Sequence, residues 1–153
     1  MKKVVKFGGS SLASAEQFKK VGKIIREDTA RRYVVPSAPG KRFSSDTKVT
    51  DMLYQCYGAA ESGKEFKPML EKIAARYNEI IQGLGLKLSL NDEFDKIAEM
   101  FTNKAGKDYA ASRGEYLNGI VMANYLGFEF VDAAEVIFFH DDGTLDTEKT
   151  NQM

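Results

Sequence analysis

The sequence has one cysteine, one histidine, no tryptophan and three prolines in 153 residues. A lone Cys56 cannot close an internal disulfide and offers no cysteine-rich zinc site. Set among Met52, Leu53 and Tyr57, it reads as a half-buried small hydrophobe on a helix. The lack of paired cysteines fits a reducing, cytoplasmic setting. His140 stands alone, so no Ser-His-Asp or Cys-His arrangement is available. It is expected at the surface, at a strand end. Long apolar runs are also missing. None approaches the ~20 residues that cross a bilayer, and residues 1–7 are too short an apolar stretch for a signal peptide. Excess charge is absent as well, with 22 Lys+Arg against 22 Asp+Glu. A basic nucleic-acid face is therefore not expected, and neither nucleic acid nor membrane is a predicted partner.

What is present belongs to a globular domain. The chain is 43% hydrophobic and 29% charged, and its length suits one domain with a substantial core. Residues 2–7, KKVVKF, form a β-prone run followed by Gly8-Gly9-Ser10-Ser11. Ser14 and Gln17 have the spacing of a helix cap, and Phe18, Val21, Ile24 and Ile25 then recur at helical period. Residues 33–35 are a second strand, closed by Pro36 and the turn signal Pro39-Gly40. Helices are predicted over about 47–60, 65–82, from near 89–92 onward, and over 108–126. Gly63, Gly83, Gly85 and Gly127 supply stop signals. Residues 128–131 and 136–139 read as strands, and Asp141-Asp142-Gly143 as a turn rather than a cation loop. The order is β-α-β, a helical block, then β-β. It implies an α/β fold with a mostly parallel sheet covered by helices. Three or four strands are few for so many helices, and the pattern suggests part of a larger domain.

Two loops carry the chemistry. In Lys6-Phe7-Gly8-Gly9-Ser10-Ser11, glycines permit close approach of backbone N–H groups to an anion, and Lys6 adds a mobile positive charge. The pattern is neither a P-loop nor G-x-G-x-x-G. Read alone, it is either a phosphate cradle or a tight turn between strand and helix. The second loop, Val34-Val-Pro-Ser37-Ala-Pro-Gly40-Lys41-Arg42, again places small and basic residues after a strand. Ligands of open α/β sheets bind at such carboxyl ends, although an ordinary solvated loop has the same composition. Glu115 in Ser112-Arg113-Gly114-Glu115 could grip an ammonium group or be a surface helix charge. Thr50-Asp51 could be no more than a capping pair.

Together, KFGGSS, VVPSAPGKR, KVTDML and SRGE, in this order, resemble the N-terminal part of the aspartate kinases, within the amino-acid kinase family. The likeness runs over residues 2–140 and is least distinctive from about 52 to 105. It implies a three-layer α/β/α sandwich, incomplete in this chain, with residues 1–153 as the N-terminal part of the catalytic domain. It implies transfer of the γ-phosphoryl of ATP, accompanied by Mg²⁺, to the β-carboxylate of L-aspartate, the first step toward lysine, threonine and methionine. By the same resemblance Lys6 is the catalytic, phosphate-contacting lysine, and Phe7, Gly8, Gly9 and Ser10 form the phosphate loop. Ser10 stands where many members have threonine. Ser37, Thr50 and Glu115 would hold the aspartate, and no residue is assigned to a metal. Arg113 receives no role. Members of the family extend further, into a second glycine-rich stretch, the nucleotide pocket and ACT regulatory domains. The 153-residue chain is thus expected to lack kinase activity alone, and the full enzyme to be a homo-oligomer. A kinase for glutamate or acetylglutamate, or a non-catalytic binding module, are the competing readings.

Overall fold

The computed structural model describes residues 1–152; Met153 lies outside the described residues. Two strands, β1 (Lys3–Phe7) and β2 (Arg31–Pro36), pair in parallel, with Val5 opposite Val34 and Phe7 opposite Pro36. The crossover between them is a 3-10 turn, Gly9–Leu12, and helix α1 (Ala15–Arg26). Ser14 caps α1 as its spacing predicts, its hydroxyl accepting from the Gln17 N–H at 3.3 Å. The intervening 3-10 turn has no counterpart in the sequence expectation. It delays the helix, so the glycine loop opens onto a single tight turn rather than directly onto α1.

A helical block follows: α2 (Val49–Glu61), α3 (Lys67–Gly83), α4 (Asn91–Thr102) and α5 (Lys107–Leu126). Pro68 sits in the first turn of α3, where its missing N–H costs nothing. Gly127, with φ of 72°, ends α5 in the left-handed conformation that its place after the last apolar residue predicts. The core is built from Leu53, Cys56 and Tyr57 of α2, Ile73, Tyr77 and Ile80 of α3, Ile97 and Phe101 of α4, and Leu117 and Val121 of α5. Tyr57 and Phe101 meet edge to face at 5.2 Å. Cys56 is wholly buried, not half-buried as its position suggested. Burial pushes its thiol up to about 11, which leaves it an unreactive packing group.

The sheet is smaller than the sequence implied. Residues 128–131 and 136–139 do not join it. Phe130 instead packs its ring on Tyr116 at 5.6 Å, residues Ala133–Glu135 form a 3-10 turn, and Phe139 makes one isolated antiparallel bridge to Leu145. A strand needs a paired neighbour as well as a β-prone sequence, and here Phe130 packs on α5 while Phe128, Val131, Ile137 and Phe139 stay largely exposed. Asp142 does form the expected turn, accepting from the Thr144 N–H at 2.9 Å, and His140 is exposed as expected. A short helix α6, Thr147–Asn151, follows. One face of β1 and β2 packs Val5, Phe7 and Val34 against the helical core. Val4, Tyr33 and Val35 are 70%, 51% and 48% exposed. Among the described residues no helix is long and apolar enough to cross a membrane.

Tyr77 ties α3 to α5: its buried hydroxyl donates to the Gly114 carbonyl at 2.8 Å. Tyr77→Phe keeps the ring and removes only that bond. It is expected to lower unfolding free energy by about 1 kcal/mol, read from urea denaturation with an unchanged slope.

Candidate functional site

Parallel neighbours leave the sheet on the same side, so the loops after β1 and β2 meet. Ser37 N–H donates to the Phe7 carbonyl at 3.1 Å, and Gly40 N–H donates to the Gly9 carbonyl at 2.8 Å. The two loops touch backbone to backbone. A Cβ on Gly40 would stand 2.6 Å from the Gly9 carbonyl carbon and 2.8 Å from the Ser10 nitrogen. Glycine is needed at 40 for this approach, whatever its dihedral angles.

Two helices complete the arrangement. Val49 N–H donates to the Pro39 carbonyl at 3.0 Å, which plants the start of α2 beside the second loop and brings Lys48 and Thr50 with it. On α5, Gly114 lets the helix press on the loop: a Cβ there would lie 2.6 Å from that of Ala38 and 3.8 Å from the Thr50 hydroxyl. Glu115 follows directly. Asn118, one turn further and fully buried, donates from Nδ2 to the Ser37 carbonyl at 2.7 Å. Its Oδ1 is buried with no hydrogen-bond partner among the described residues.

The result is a cleft of about 440 Å³. Gly9, Ser10, Ser37, Thr50 and Glu115, drawn from four separate stretches of sequence, line it together. Lys6, Phe7 and Gly8 do not. Phe7 packs toward the core and Gly8 precedes the 3-10 turn. Lys6 is exposed on β1, in register with Val35. The cations at the cleft are Lys41 and Lys48, both exposed. Lys41 belongs to a basic loop that the sequence made visible. From sequence Lys48 receives no role, although it opens the KVTDML motif and stands directly before the first turn of α2. Arg113 stacks over the rings of Tyr109 and Tyr116, at 4.7 and 4.2 Å. Glu115 is the one acid in the cleft lining. Among the described residues no three His, Cys, Asp or Glu side chains gather as metal ligands.

The segment from Gly40 to Lys48 is braced from within. Arg42 donates to both oxygens of Asp46, at 2.7 and 3.1 Å, and Nη1 reaches Glu79 at 3.2 Å. These bonds from Arg42, helped by backbone N–H groups and by Arg76, hold the Asp46 carboxyl far below its ordinary value, against the opposing effect of burial.

The model of the amino acid kinase family matches residues 1–152. Aspartokinase 3 of Bacillus subtilis is 39% identical over 140 residues, which is 88% of this chain and 31% of that protein. The aspartokinase of Chlamydia trachomatis is 29% identical over 128 residues, 80% of this chain and 27% of its own length. The crystal structure of Clostridium acetobutylicum aspartate kinase superposes with a TM-score of 0.94 at 48% identity, over 99% of this chain and 35% of that one. Escherichia coli aspartokinase III, solved with aspartate and ADP, shares the fold at a TM-score of 0.79 and 20% identity, over 99% of this chain and 36% of its own. The chain thus spans about a third of the length of the relatives it matches.

Two outcomes test the geometry. Gly40→Ala is expected to force the loops apart and to destabilise by about 1–3 kcal/mol, with amide shifts at Gly9 and Ser10 in the NMR spectrum. For Asp46, the folded carboxyl titrates below the unfolded one. Its contribution is therefore complete above about pH 4 and is lost as pH falls toward the folded value. Acid unfolding of Asp46→Asn should lack that part of the slope, measured by circular dichroism between pH 6 and 2.

Proposed function

Because this chain belongs to the amino acid kinase family, we propose that it forms the amino-acid and phosphate side of an aspartate kinase active site, within a three-layer α/β/α catalytic domain. The reaction is transfer of the γ-phosphoryl of ATP to the β-carboxylate of L-aspartate, in the cytoplasm. The observation that carries this reading is the charge pattern of the cleft. The cleft lining holds one carboxylate, Glu115, two ammonium groups, Lys41 and Lys48, and the hydroxyls of Ser10, Ser37 and Thr50. L-Aspartate has the inverse pattern, one ammonium and two carboxylates. An acetylated amino group would leave Glu115 without a cation, which disfavours an acetylglutamate kinase.

Phosphoryl transfer to a carboxylate needs no base, because the acceptor is ionised at neutral pH. It needs the acceptor held in line and the converging negative charge neutralised. Glu115 takes the substrate ammonium, and Ser37 and Thr50 fix the rest of the amino acid. The Gly9–Ser10 turn receives the phosphates through backbone N–H groups, and Lys41 and Lys48 lower the repulsion between the two anions. Lys6 is the phosphate-contacting lysine by resemblance. It stands outside the cleft lining, so its role requires the side chain to swing toward the glycine turn. Mg²⁺ is the counter-ion of the nucleotide. The described residues provide no ligand cluster for it.

An amide NMR titration tests the reading. Mg-ATP is expected to shift the resonances of Gly9, Ser10 and Ser11. L-Aspartate, but not L-glutamate, is expected to shift Ser37, Thr50 and Glu115. Glu115→Gln should weaken aspartate binding by about ten-fold or more, the cost of one charged hydrogen bond. Equal response to both amino acids would refute the specificity. No response in a dispersed spectrum would mark the chain as a scaffold without this site.

A further inference from the structure

Arg76 is an arginine in the middle of α3 and is 5% exposed. Burying a guanidinium costs several kcal/mol unless its donors meet acceptors. Here they meet the loop that walls the cleft. Nη2 donates to the Gly40 carbonyl at 2.7 Å and Nη1 to the Thr47 carbonyl at 2.9 Å, while Asp46 lies 3.6 Å from Nη1. The two carbonyls stand at opposite ends of the segment that carries Lys41. Thr47 leads straight into Lys48, Val49 and Thr50. Gly40 passes the constraint on, because its N–H donates to the Gly9 carbonyl. One planar fork therefore spans both ends of the loop after β2 and, through the single residue Gly40, reaches the glycine turn.

We propose that Arg76 is a positioning residue for the amino-acid substrate: without touching the ligand, it sets the separation of the cleft walls that carry Lys41, Lys48 and Thr50 by bridging the carbonyls of Gly40 and Thr47. The role in binding rests on the reading of the cleft given above. The geometry of the bridge does not. Its planarity matters, since two different nitrogens hold two carbonyls at once, which a lysine ammonium on a single axis does less well. Burial, with Arg42 nearby, draws the guanidinium below its ordinary value, as expected for a cation whose water has been replaced by protein acceptors.

The test compares Arg76→Met, Arg76→Lys and a control, Leu70→Ala, in the 153-residue chain. Leu70 is a buried residue of the same helix outside the cleft lining. Hydrogen exchange of the Gly40 amide reads the loops, and titration with L-aspartate reads the site. In Arg76→Met, Gly40 exchange should accelerate and aspartate affinity fall, each about ten-fold or more. Arg76→Lys should recover part of both. Leu70→Ala should lose stability but keep its affinity. Folded Arg76→Met with wild-type Gly40 protection and affinity overturns the proposal. Where Arg76→Met does not fold, Arg76→Lys decides, and wild-type values in that variant overturn it. A wild-type chain that binds no L-aspartate refutes the functional reading, and the Gly40 exchange then still decides whether Arg76 holds the loops.

Discussion

Everything at the cleft depends on the contact between the backbones of Gly9 and Gly40. Two loops from neighbouring parallel strands approach so closely that the Gly40 N–H bonds the Gly9 carbonyl and no side chain fits at 40. From that contact outward, each part has one place to go. The start of α2 hangs from Pro39, α5 presses Gly114 onto Ala38, and Asn118 holds the carbonyl of Ser37. The side chains that line the cleft are placed by the backbone, as the proposed chemistry, which asks for positioning more than for reactive groups, would require.

The sequence made much of this legible, for reasons that can be traced to particular residues. The parallel strands and the helices carry periodic apolar residues, and Pro68 and Gly127 mark their ends by local chemistry. The two glycine-bearing loops were visible because small residues after a strand have few other uses. What could not be read was long-range. Nothing in KVVKF says that Lys6 stays on the strand, out of the cleft, while Ser10 lines it. Arg76 looks like any helix charge until the loop above it is in place, and Asn118 looks like an ordinary polar residue of a helix. The segment from 128 to 139 misled because β-branched and aromatic residues signal a strand whether or not an edge is there to receive it. Here Gly119 leaves space for Phe130, within 2.9 Å of where its own Cβ would lie, and the chain packs on a helix instead.

The polar groups beneath the cleft divide the work by burial. Arg42 and Asp46 form a clasp that is partly open to water, with a modest contribution to stability. Arg76 and Asn118 are sealed from solvent, where a missing partner is costly. These are the groups that define one loop conformation against its alternatives. The Oδ1 of Asn118 is buried without a partner among the described residues, while its Nδ2 holds the Ser37 carbonyl.

The bonds that shape the cleft also link distant parts of the chain. Arg76 and Gly40 are 36 residues apart, and Asn118 and Ser37 are 81 apart. The helical core needs spans of the same middle range, since the Gly106 N–H donates to the Tyr57 hydroxyl across 49 residues. Closing a longer span costs more chain entropy. The bond from Asn118 to Ser37 draws the two ends of the helical block together, so the cleft wall it holds exists only where both ends have met.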